Sequence, residues 1–515
     1  MRKSGILLPV FSLPSRMGIG CFSKEAYEFI DRLSAAGQSY WQVLPLGHAG
    51  GWYSPYQPLS CFALDPMYID PYILYEEGTL CSSAMTMLGL ESKHTSENRI
   101  DYETLLPARM EIYKNAFETW QLIGTDEDEF NKFCRKNKKW LEDYALFIAL
   151  RDKYDDADWS NWDKPFRFRE KAALKRFSRE NADDILFHKW LQYKAYSQWQ
   201  NVINYAHSRG IEIIGDIPIY AAFESADCWA NPELFKLTKG LKPAAYSGCP
   251  PDAFSPDGQV WGNPLYKWRA HKESGYSWWI ERLKNNFKIY DVIRLDHFRG
   301  FESFYAVPKT AVNGLDGKWM RGPGMDFFKK VKAAIPKGHF IAEDLGYITP
   351  EVARLKERTG LPGMKVLQFA FGGNEANPYL PENYEEDCVV YTGTHDNDTT
   401  RGWYHSLGSD VRRNVTRFIR AQNGRQDDAD KAPEFNSKAA AISLVSIAMR
   451  SKARTCIIPL QDYMLLGSDA RVNTPGTTGD NWRWRMDADS FDHNLTEYIL
   501  QLTRETGRIG AKNER

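Results

Sequence analysis

The sequence predicts an α/β fold of the (β/α)8 TIM-barrel type, with helical and loop insertions forming subdomains over the C-terminal face of the barrel. Two observations carry this prediction: eight short apolar runs that end in polar residues, and helical patterns between them. The runs span residues 5–10, 40–46, 211–220, 291–298, 339–346, 364–371, 388–398 and 453–462. Most are nearly continuous rather than alternating, as is typical of parallel strands buried on both faces.

Helical patterns fill several intervals between these runs. After the first run, Ser23 can cap a helix that Gly37 ends, and its apolar face would hold Ala26, Phe29, Ile30 and Leu33. Between the seventh and eighth runs, Ser409 can cap another helix, which ends at Asn423-Gly424. The apolar stretch 439–449 predicts a buried helix, because it is shorter than the roughly 20 residues that a membrane span needs.

The uneven spacing of the runs predicts one domain with insertions. The chain has 515 residues, and barrels of this class can exceed about 400 residues once insertions are added. More than 160 residues separate the second and third runs, and much of that interval is dense in helix formers. We therefore expect a single catalytic barrel domain over residues 1–515. A mostly helical insertion would cover about 60–209, and a loop-rich lid over the active site about 222–270.

The composition argues against several classes of partner. Lys and Arg total 66 and Asp and Glu total 67, so a net charge of −1 provides no overall field that would attract nucleic acid or an anionic membrane. Pro9 and Pro14 interrupt the N-terminal apolar run, which we interpret as a strand and not a signal peptide. The eight cysteines are scattered and form no CxxC pair, which favours buried thiols in a reducing compartment. These features predict a cytoplasmic protein that binds neither nucleic acid nor membrane.

Polar residues end several predicted strands, where barrel enzymes carry their chemistry. They are Asp216 in the third run, Arg294, Asp296 and His297 in the fourth, Glu343 and Asp344 in the fifth, and His395, Asp396 and Asp398 in the seventh. Carboxylates from four strand ends would then converge on one mouth.

Three of these carboxylates have candidate roles. Arg294 and Asp296 are two positions apart and share a strand face, so the guanidinium would keep Asp296 ionised, as a nucleophile requires; a structural ion pair fits the same spacing. Glu343 lies in an apolar strand beside Asp344, and desolvation and like charge would raise its pKa, which suits a general acid; it could equally be a structural group. Asp396 could be held by its neighbours His395 and Asn397, although the THDND string is also a good turn sequence.

Three carboxylates with arginine and histidine support suit cleavage of a glycosidic bond. One carboxylic acid protonates the leaving oxygen, one carboxylate attacks the anomeric carbon, and a third stabilises positive charge. A metal site competes with this interpretation, because His297, His395, Asp396, Asp398 and Asp344 are all ligand types, although no HExxH signature occurs. GxGxxG opening a helix after a strand, GxxxxGK[ST] and GxSxG are also absent from the sequence.

At this point the sequence resembles a known family. The strings RLDHFRGF at 294–301, AEDLG at 342–346 and YTGTHDNDT at 391–399 are similar to those of the 4-α-glucanotransferases of glycoside hydrolase family 77. Supporting strings are SPYQ, GDIPIY, PPDAFSPDGQVWGNPLY, GMKVLQFAF and ARVNTPGTTGDNW. The resemblance covers nearly the whole chain, and the ordered set of strings is highly specific.

The resemblance implies roles for individual residues. Asp296 would be the nucleophile, Glu343 the acid/base and Asp396 the transition-state stabiliser. The resemblance also implies substrate-binding residues, which are Arg294, His395, Asp216, Tyr56, Asp252, Gln259, Trp261 and Asn263. It implies no organic cofactor and no required metal.

The implied activity is a retaining transfer of 1,4-α-glucan segments from a maltooligosaccharide or other α-1,4-glucan donor to glucose or a glucan acceptor. Other hypotheses stay open on the residues alone. They are a retaining hydrolase of the α-amylase type, a non-catalytic glucan-binding protein on an enzyme scaffold, and a metal-dependent barrel hydrolase.

Overall fold

The structure is a computed structural model that describes residues 2–81, 98–155, 158–251, 255–424 and 433–510. In chain order its strands are β1 Lys3–Leu7, β2 Tyr40–Gln42, β3 Glu212–Ile217, β4 Ala245–Cys249, β5 Gln259–Pro264, β6 Val292–Leu295, β7 Ser303–Pro308, β8 Lys318–Arg321, β9 His339–Ala342, β10 Gly363–Val366, β11 Cys388–Tyr391 and β12 Thr455–Pro459.

Eight of these strands form one parallel sheet that curls into a nearly closed barrel. The order is β10-β11-β12-β1-β2-β3-β6-β9, and every pairing in it is parallel. At the remaining seam between β9 and β10, the Ala342 amide donates to the Pro362 carbonyl at 2.9 Å. Each of the eight apolar runs overlaps one of these strands, so the predicted barrel is confirmed.

The helices surround this sheet and fill the insertions. Their bounds are α1 Lys24–Ala35, α2 Pro71–Glu76, α3 Tyr102–Ile123, α4 Glu127–Lys153, α5 Lys164–Arg167, α6 Lys171–Glu180, α7 Ala182–Ser208, α8 Ala226–Ala230, α9 Trp268–Glu273, α10 Ser277–Asn286, α11 Met325–Ala334, α12 Pro350–Thr359, α13 Thr400–Ser406, α14 Ser409–Gln422, α15 Ser437–Arg450, α16 Leu460–Tyr463 and α17 His493–Glu505. Within the described part of the chain, no helix combines the length and apolarity that crossing a bilayer requires.

The helix predictions are confirmed, with one boundary shifted. Helix α1 follows Ser23 and buries the four predicted apolar residues, but the Ser23 hydroxyl donates to Glu25 instead of making a cap bond. For α14 the N-cap is Gly408, so the predicted cap Ser409 is the first helical residue. Helix α15 contains the apolar stretch 439–449, and most of that stretch is buried.

A second sheet lies outside the barrel and was not predicted. It is antiparallel, with the order β5-β4-β7-β8, and it joins residues before β6 to the hairpin after it. Residues 222–270, expected to be loop-rich, therefore also contain α8, β4 and β5. The sequence pattern is weak here because β8 is exposed along its whole length and β5 is mostly half-buried.

Two apolar layers hold the barrel together. Inside it, side chains from six strands pack into a small cluster of Leu7, Ile214, Ile341, Met364, Val366, Val389, Tyr391 and Ile457. A larger cluster lies between the strands and the surrounding helices. Because side chains alternate along a strand, Asp216 faces the same way as Ile214 and lies one layer higher, towards the carboxyl ends of the strands.

Asp344 closes the seam between β9 and β10. Its Oδ1 accepts the Met364 amide at 2.7 Å, and its Oδ2 lies 2.9 Å from the ammonium of Lys356 on α12. Both side chains are largely buried, at 9% and 16% exposed for Asp344 and Lys356. Asp344 is therefore engaged in structure, which leaves it poorly suited to the metal site considered from the sequence.

We expect Asp344→Ala to lower the free energy of unfolding by about 2–4 kcal/mol, because it leaves a buried ammonium and a backbone amide without their shared acceptor. Thermal melting followed by circular dichroism at one scan rate measures the change. Asp387→Ala is the control, since Asp387 pairs with Arg454 at an exposed site and its loss should cost less than about 0.5 kcal/mol. Equal melting temperatures for the two variants would contradict the assignment.

Candidate active site

The three candidate carboxylates follow three different barrel strands. Asp296 comes directly after β6, Glu343 directly after β9, and Asp396 in the loop after β11. Strands β6 and β9 are neighbours in the sheet, and the loops after them touch: the His297 amide donates to Glu343 Oε2 at 2.8 Å. The structure therefore brings Asp296 and Glu343 to one edge of the barrel.

A buried arginine connects Asp296 to the barrel interior. Arg294 Nη1 donates to Asp216 Oδ2 at 2.6 Å and to Asp296 Oδ1 at 3.1 Å. The Tyr56 hydroxyl also donates to Asp216 Oδ2, at 2.7 Å. Burial, assisted by the charge of Asp216, raises the pKa of Tyr56, so its hydroxyl remains a donor at neutral pH. The predicted residues Asp216, Arg294, Asp296 and Tyr56 thus form one network.

Glu343 is held by the backbone around it. Its Oε1 accepts the Leu345 amide at 2.8 Å and its Oε2 accepts the His297 amide. His297 has a left-handed backbone with φ of 51°, which is uncommon for a residue other than glycine and aims its amide at the carboxyl group. Burial raises the pKa of Glu343, while the Arg294 guanidinium and the two amides oppose this effect. Both predicted influences on its pKa are therefore present, since Asp344 also raises it.

Asp296 shares its surroundings with other carboxyl groups. Burial is the largest influence and raises the pKa of Asp296, the Arg294 guanidinium lowers it, and Asp216, Glu343 and Asp396 raise it. Two ionised carboxylates in one low-dielectric cleft repel each other, so a proton on one of them favours ionisation of the other. The guanidinium contacts Asp296 directly, which favours the ionised form of Asp296, and the two carboxyl groups titrate as one coupled pair.

Asp396 is positioned by two residues to which the sequence reasoning assigned no role. Asn473 Nδ2 donates to Asp396 Oδ1 at 2.6 Å, and Arg471 Nη2 donates to the Asp396 carbonyl at 2.6 Å. The Asn473 amide also donates to the His395 carbonyl at 3.1 Å. The string ARVNTPGTTGDNW contains both residues, but nothing in their spacing indicated a contact with a loop about 75 positions earlier.

His395 lies between Asp396 and Tyr56. Its Nε2 is 3.3 Å from Asp396 Oδ2, and its ring stacks on that of Tyr56 with centroids 5.2 Å apart. Burial lowers the pKa of His395, so at neutral pH the ring is uncharged. This ring connects the Asp396 loop to the Arg294 network.

Strand β5 carries three of the four remaining predicted residues, Gln259, Trp261 and Asn263. The Trp261 ring meets the His297 ring edge-on with centroids 4.9 Å apart, and Gln259 Oε1 accepts its indole N–H at 3.0 Å. Asn263 lies deeper and exchanges amide hydrogen bonds with Gln57, next to Tyr56. Trp261 and Gln259 are thus near the mouth of the barrel, and Asn263 attaches β5 to the segment that carries Tyr56. Asp252 lies outside the described residues.

The metal candidates from the sequence do not gather into one site. Asp398 accepts hydrogen bonds from the Thr399 amide at 2.7 Å and the Ser468 hydroxyl at 2.6 Å, which stabilise the loop after β11. Across the residues that the structure describes, no group of three or more His, Cys, Asp or Glu side chains is arranged to hold a metal ion.

A cavity of about 780 Å³ lies beside this site and contains none of the three carboxylates. It is bounded by residues 48–68 and by helices α3, α4 and α7, and its lining includes Tyr53, which stacks on Tyr102 with centroids 4.2 Å apart. Of the eight cysteines, which were expected to be buried thiols, Cys21, Cys228, Cys388 and Cys456 are buried, Cys61, Cys134 and Cys249 are half-buried, and Cys81 is exposed.

Comparisons with known proteins agree with this geometry. The model of the 4-alpha-glucanotransferase family, glycoside hydrolase family 77, matches residues 8–490. A 4-alpha-glucanotransferase of Clostridium butyricum is 42% identical over 506 residues, covering 97% of this chain and 99% of the relative. One from a Synechocystis species is 42% identical over 512 residues, covering 98% of each chain.

Solved structures extend the similarity to three dimensions. The amylomaltase of Streptococcus agalactiae, in complex with acarbose, superposes with a TM-score of 0.91 at 33% identity, covering 99% of this chain and all of that one. The amylomaltase of Corynebacterium glutamicum, at 19% identity and a TM-score of 0.78, shares the fold, covering 98% of this chain and 75% of that one. Because the family model and the relatives span nearly the whole chain, this protein belongs to the 4-alpha-glucanotransferase family, glycoside hydrolase family 77.

Proposed function

We propose that this chain transfers 1,4-α-glucan segments between maltooligosaccharides through a covalent glycosyl-enzyme, with Asp296 as the nucleophile, Glu343 as the acid/base and Asp396 as the stabiliser of the transition state. One observation carries the proposal. Asp296, paired with the Arg294 guanidinium, and Glu343, held by the amide of His297, share one edge of the barrel. Family membership makes transfer the better supported reaction, and hydrolysis of the α-amylase type is the less supported alternative.

The first step forms the glycosyl-enzyme. A carboxylate oxygen of Asp296 attacks the anomeric carbon, and the bond from that carbon to the glycosidic oxygen breaks with its electron pair going to the oxygen. Glu343 donates its proton to that oxygen, so the leaving glucan departs as a neutral alcohol. Asp396, held by Asn473, faces the positive charge that develops on the sugar ring.

The second step reverses the first with a new partner. The 4-hydroxyl of an acceptor gives its proton to Glu343 and attacks the anomeric carbon, and the bond to Asp296 breaks to restore the carboxylate. Two inversions at one carbon retain its configuration. Attack by water in place of the acceptor would give hydrolysis.

The network around these groups supports binding of one sugar ring beside Asp296. In the proposal, Arg294, Asp216, Tyr56 and His395 form the floor of that position, and Trp261 and Gln259 on β5 border it. Residues 222–270 would act as its lid, and Asp252 within them would contact the sugar. The proposed partners are an α-1,4-glucan donor and a glucose or glucan acceptor in the cytoplasm.

Incubation of the pure protein with maltotriose tests the function directly. We expect glucose and maltooligosaccharides longer than the substrate to appear while the number of reducing ends stays constant, because each transfer breaks one glycosidic bond and makes another. Chromatography of the products and a reducing-end assay provide the measurement. A rising number of reducing ends would favour the hydrolase, and no product at all would refute both enzymes.

Glu343→Gln should lower kcat/KM for maltotriose by roughly 10²–10⁴-fold, because an amide cannot protonate the leaving oxygen. α-Maltotriosyl fluoride should bypass the defect in the first step, since fluoride departs without a proton, and mass spectrometry should detect a glycosylated protein. The double variant Asp296→Asn, Glu343→Gln is the control and should carry no sugar. A sugar adduct on the double variant would contradict the role of Asp296.

The pH dependence of activity provides a second test of Glu343, with the same variant as the comparison. Burial raises the pKa of Glu343, so its acid form persists to higher pH than that of an ordinary glutamate, and activity on maltotriose should fall as pH rises through that pKa. Release of the first fluoride by Glu343→Gln should lack this alkaline limb. A limb at the same pH in both measurements would assign the titration to another group.

Asn473→Ala should lower kcat by roughly 10–100-fold with KM changed by less than about threefold, because Asp396 loses the donor that orients it towards charge present mainly in the transition state. Steady-state kinetics with maltotriose measure both constants. Thr477→Ala is the control, because it removes a hydrogen bond to Thr474 in the same loop without touching Asp396. Equal kinetics in the two variants would show that Asn473 only supports the loop.

A further inference from the structure

Two aromatic side chains are exposed beside the proposed site and have no role in it so far. Tyr347 is 72% exposed and Trp319 is 38% exposed, and the apolar neighbours Met320 and Ile348 are 37% and 36% exposed. Large aromatic rings are usually buried, so a group of exposed ones is typical of a binding surface. We call the exposed rings of Tyr347 and Trp319, which the buried side chain of Arg299 joins, the aromatic surface.

The aromatic surface belongs to the loops that carry the proposed catalytic groups. Tyr347 lies four residues after Glu343, and Arg299 lies three residues after Asp296. The Arg299 guanidinium stacks on the Trp319 ring at 3.6 Å from its centroid and lies 6.0 Å from the centroid of Tyr347. It also donates a hydrogen bond to the Tyr347 carbonyl. One cation therefore ties the β8 edge strand to the loop after β9.

The backbone before Tyr347 holds the ring outwards. Gly346 has φ of 78°, a conformation that glycine adopts at little cost and that turns the chain between Leu345 and Tyr347. Leu345 donates its amide to Glu343, so this turn begins at the carboxyl group itself. A ligand that contacts the Tyr347 ring would thus bind within four residues of Glu343, the proposed acid.

The chemistry of the proposed reaction indicates on which side of the site the aromatic surface lies. A general acid must reach the glycosidic oxygen of the leaving group, so Glu343 lies on the side where the leaving glucan departs and the acceptor later enters. Tyr347, on the loop of Glu343, borders that side. Sugar rings present apolar C–H faces that stack on aromatic rings. The Arg299 side chain is only 5% exposed, so it positions the two rings and leaves contact with a ligand to them.

We propose that the aromatic surface is a binding subsite for the second and later glucose units of the acceptor, on the leaving-group side of the site. The proposal rests on the proposed function. The occupant is an α-1,4-glucan because the surface continues from the loops of the proposed catalytic groups and offers two exposed aromatic rings on which sugar rings can stack. The proposal places Tyr347, four residues along the loop from Glu343, beyond the first acceptor position.

Transfer from α-maltotriosyl fluoride isolates the acceptor, because fluoride occupies none of this surface. Glucose and maltotriose are compared as acceptors, and the quantity measured is the ratio of kcat/KM for maltotriose to that for glucose. Tyr347→Ala and Trp319→Ala should each lower this ratio by roughly fivefold, the usual effect of one lost aromatic contact. Tyr347→Ala keeps the backbone carbonyl that accepts the hydrogen bond from Arg299, so any change in the ratio is due to loss of the aromatic ring.

Two controls accompany these variants. Tyr347→Phe keeps the ring and should keep the wild-type ratio, which separates stacking from a hydroxyl contact. Val312→Ala removes a side chain that is 95% exposed in the connection between β7 and β8, and it should also leave the ratio unchanged.

Each other outcome would overturn the proposal. A wild-type ratio in Tyr347→Ala and Trp319→Ala, with wild-type transfer intact, would overturn the subsite and leave the proposed function standing. A changed preference between maltosyl and maltotriosyl fluoride with an unchanged acceptor ratio would assign the rings to the donor side. Fluoride release without transfer by the wild-type protein would overturn the proposed function, and the subsite with it.

Discussion

The site depends on the charge of one buried arginine. Arg294 is 3% exposed, and its guanidinium reaches Asp216 from β3 and Asp296 after β6 with the same nitrogen. Burial of a charge is costly unless it is paired, and burial of several carboxylates together is costlier still. The arginine offsets part of their mutual repulsion, so one proton can reside on Glu343 while Asp296 stays ionised. Without this cation, the same cleft would favour protonation of Asp296, the proposed nucleophile.

The barrel makes this arrangement possible through the alternation of its strands. Ile214 and Asp216 share one face of β3, and Arg294 contacts Met364 through its Nε, so the polar network lies directly on the apolar interior. Apolar packing below fixes where the strands end, and the strand ends fix the polar groups above. Asp344 and Asp398, which are chemically similar to the proposed catalytic groups, instead bond the backbone and side chains around the mouth. Their different surroundings explain why similar carboxylates serve different purposes.

The sequence predicted most of the barrel because its strands are buried on both faces and so appear as continuous apolar runs. It missed the small sheet because strands such as β8, KWMR, are exposed and carry no such pattern. Asp296 and Glu343 could be found since they end strands, where barrel chemistry lies. Asn473 could not, because its contact with Asp396 joins residues 77 positions apart through a loop that has no regular structure. Its neighbour Arg471 was missed for the same reason.

Transfer in place of hydrolysis requires that an acceptor reach the glycosyl-enzyme before water does. The proposed catalytic groups do not distinguish the two outcomes, because Glu343 would accept a proton equally from a sugar hydroxyl or from water. Discrimination between an acceptor sugar and water must come from groups that bind the acceptor away from its reacting hydroxyl. These groups can speed transfer only if they lie where the leaving glucan was bound, because the acceptor enters there. In the proposal the loop after β9 meets this condition, since it carries Glu343, the proposed acid, at one end and the exposed Tyr347 ring at the other. Arg299 joins that loop to the β7–β8 hairpin, so the unpredicted sheet and the predicted barrel would meet at the acceptor.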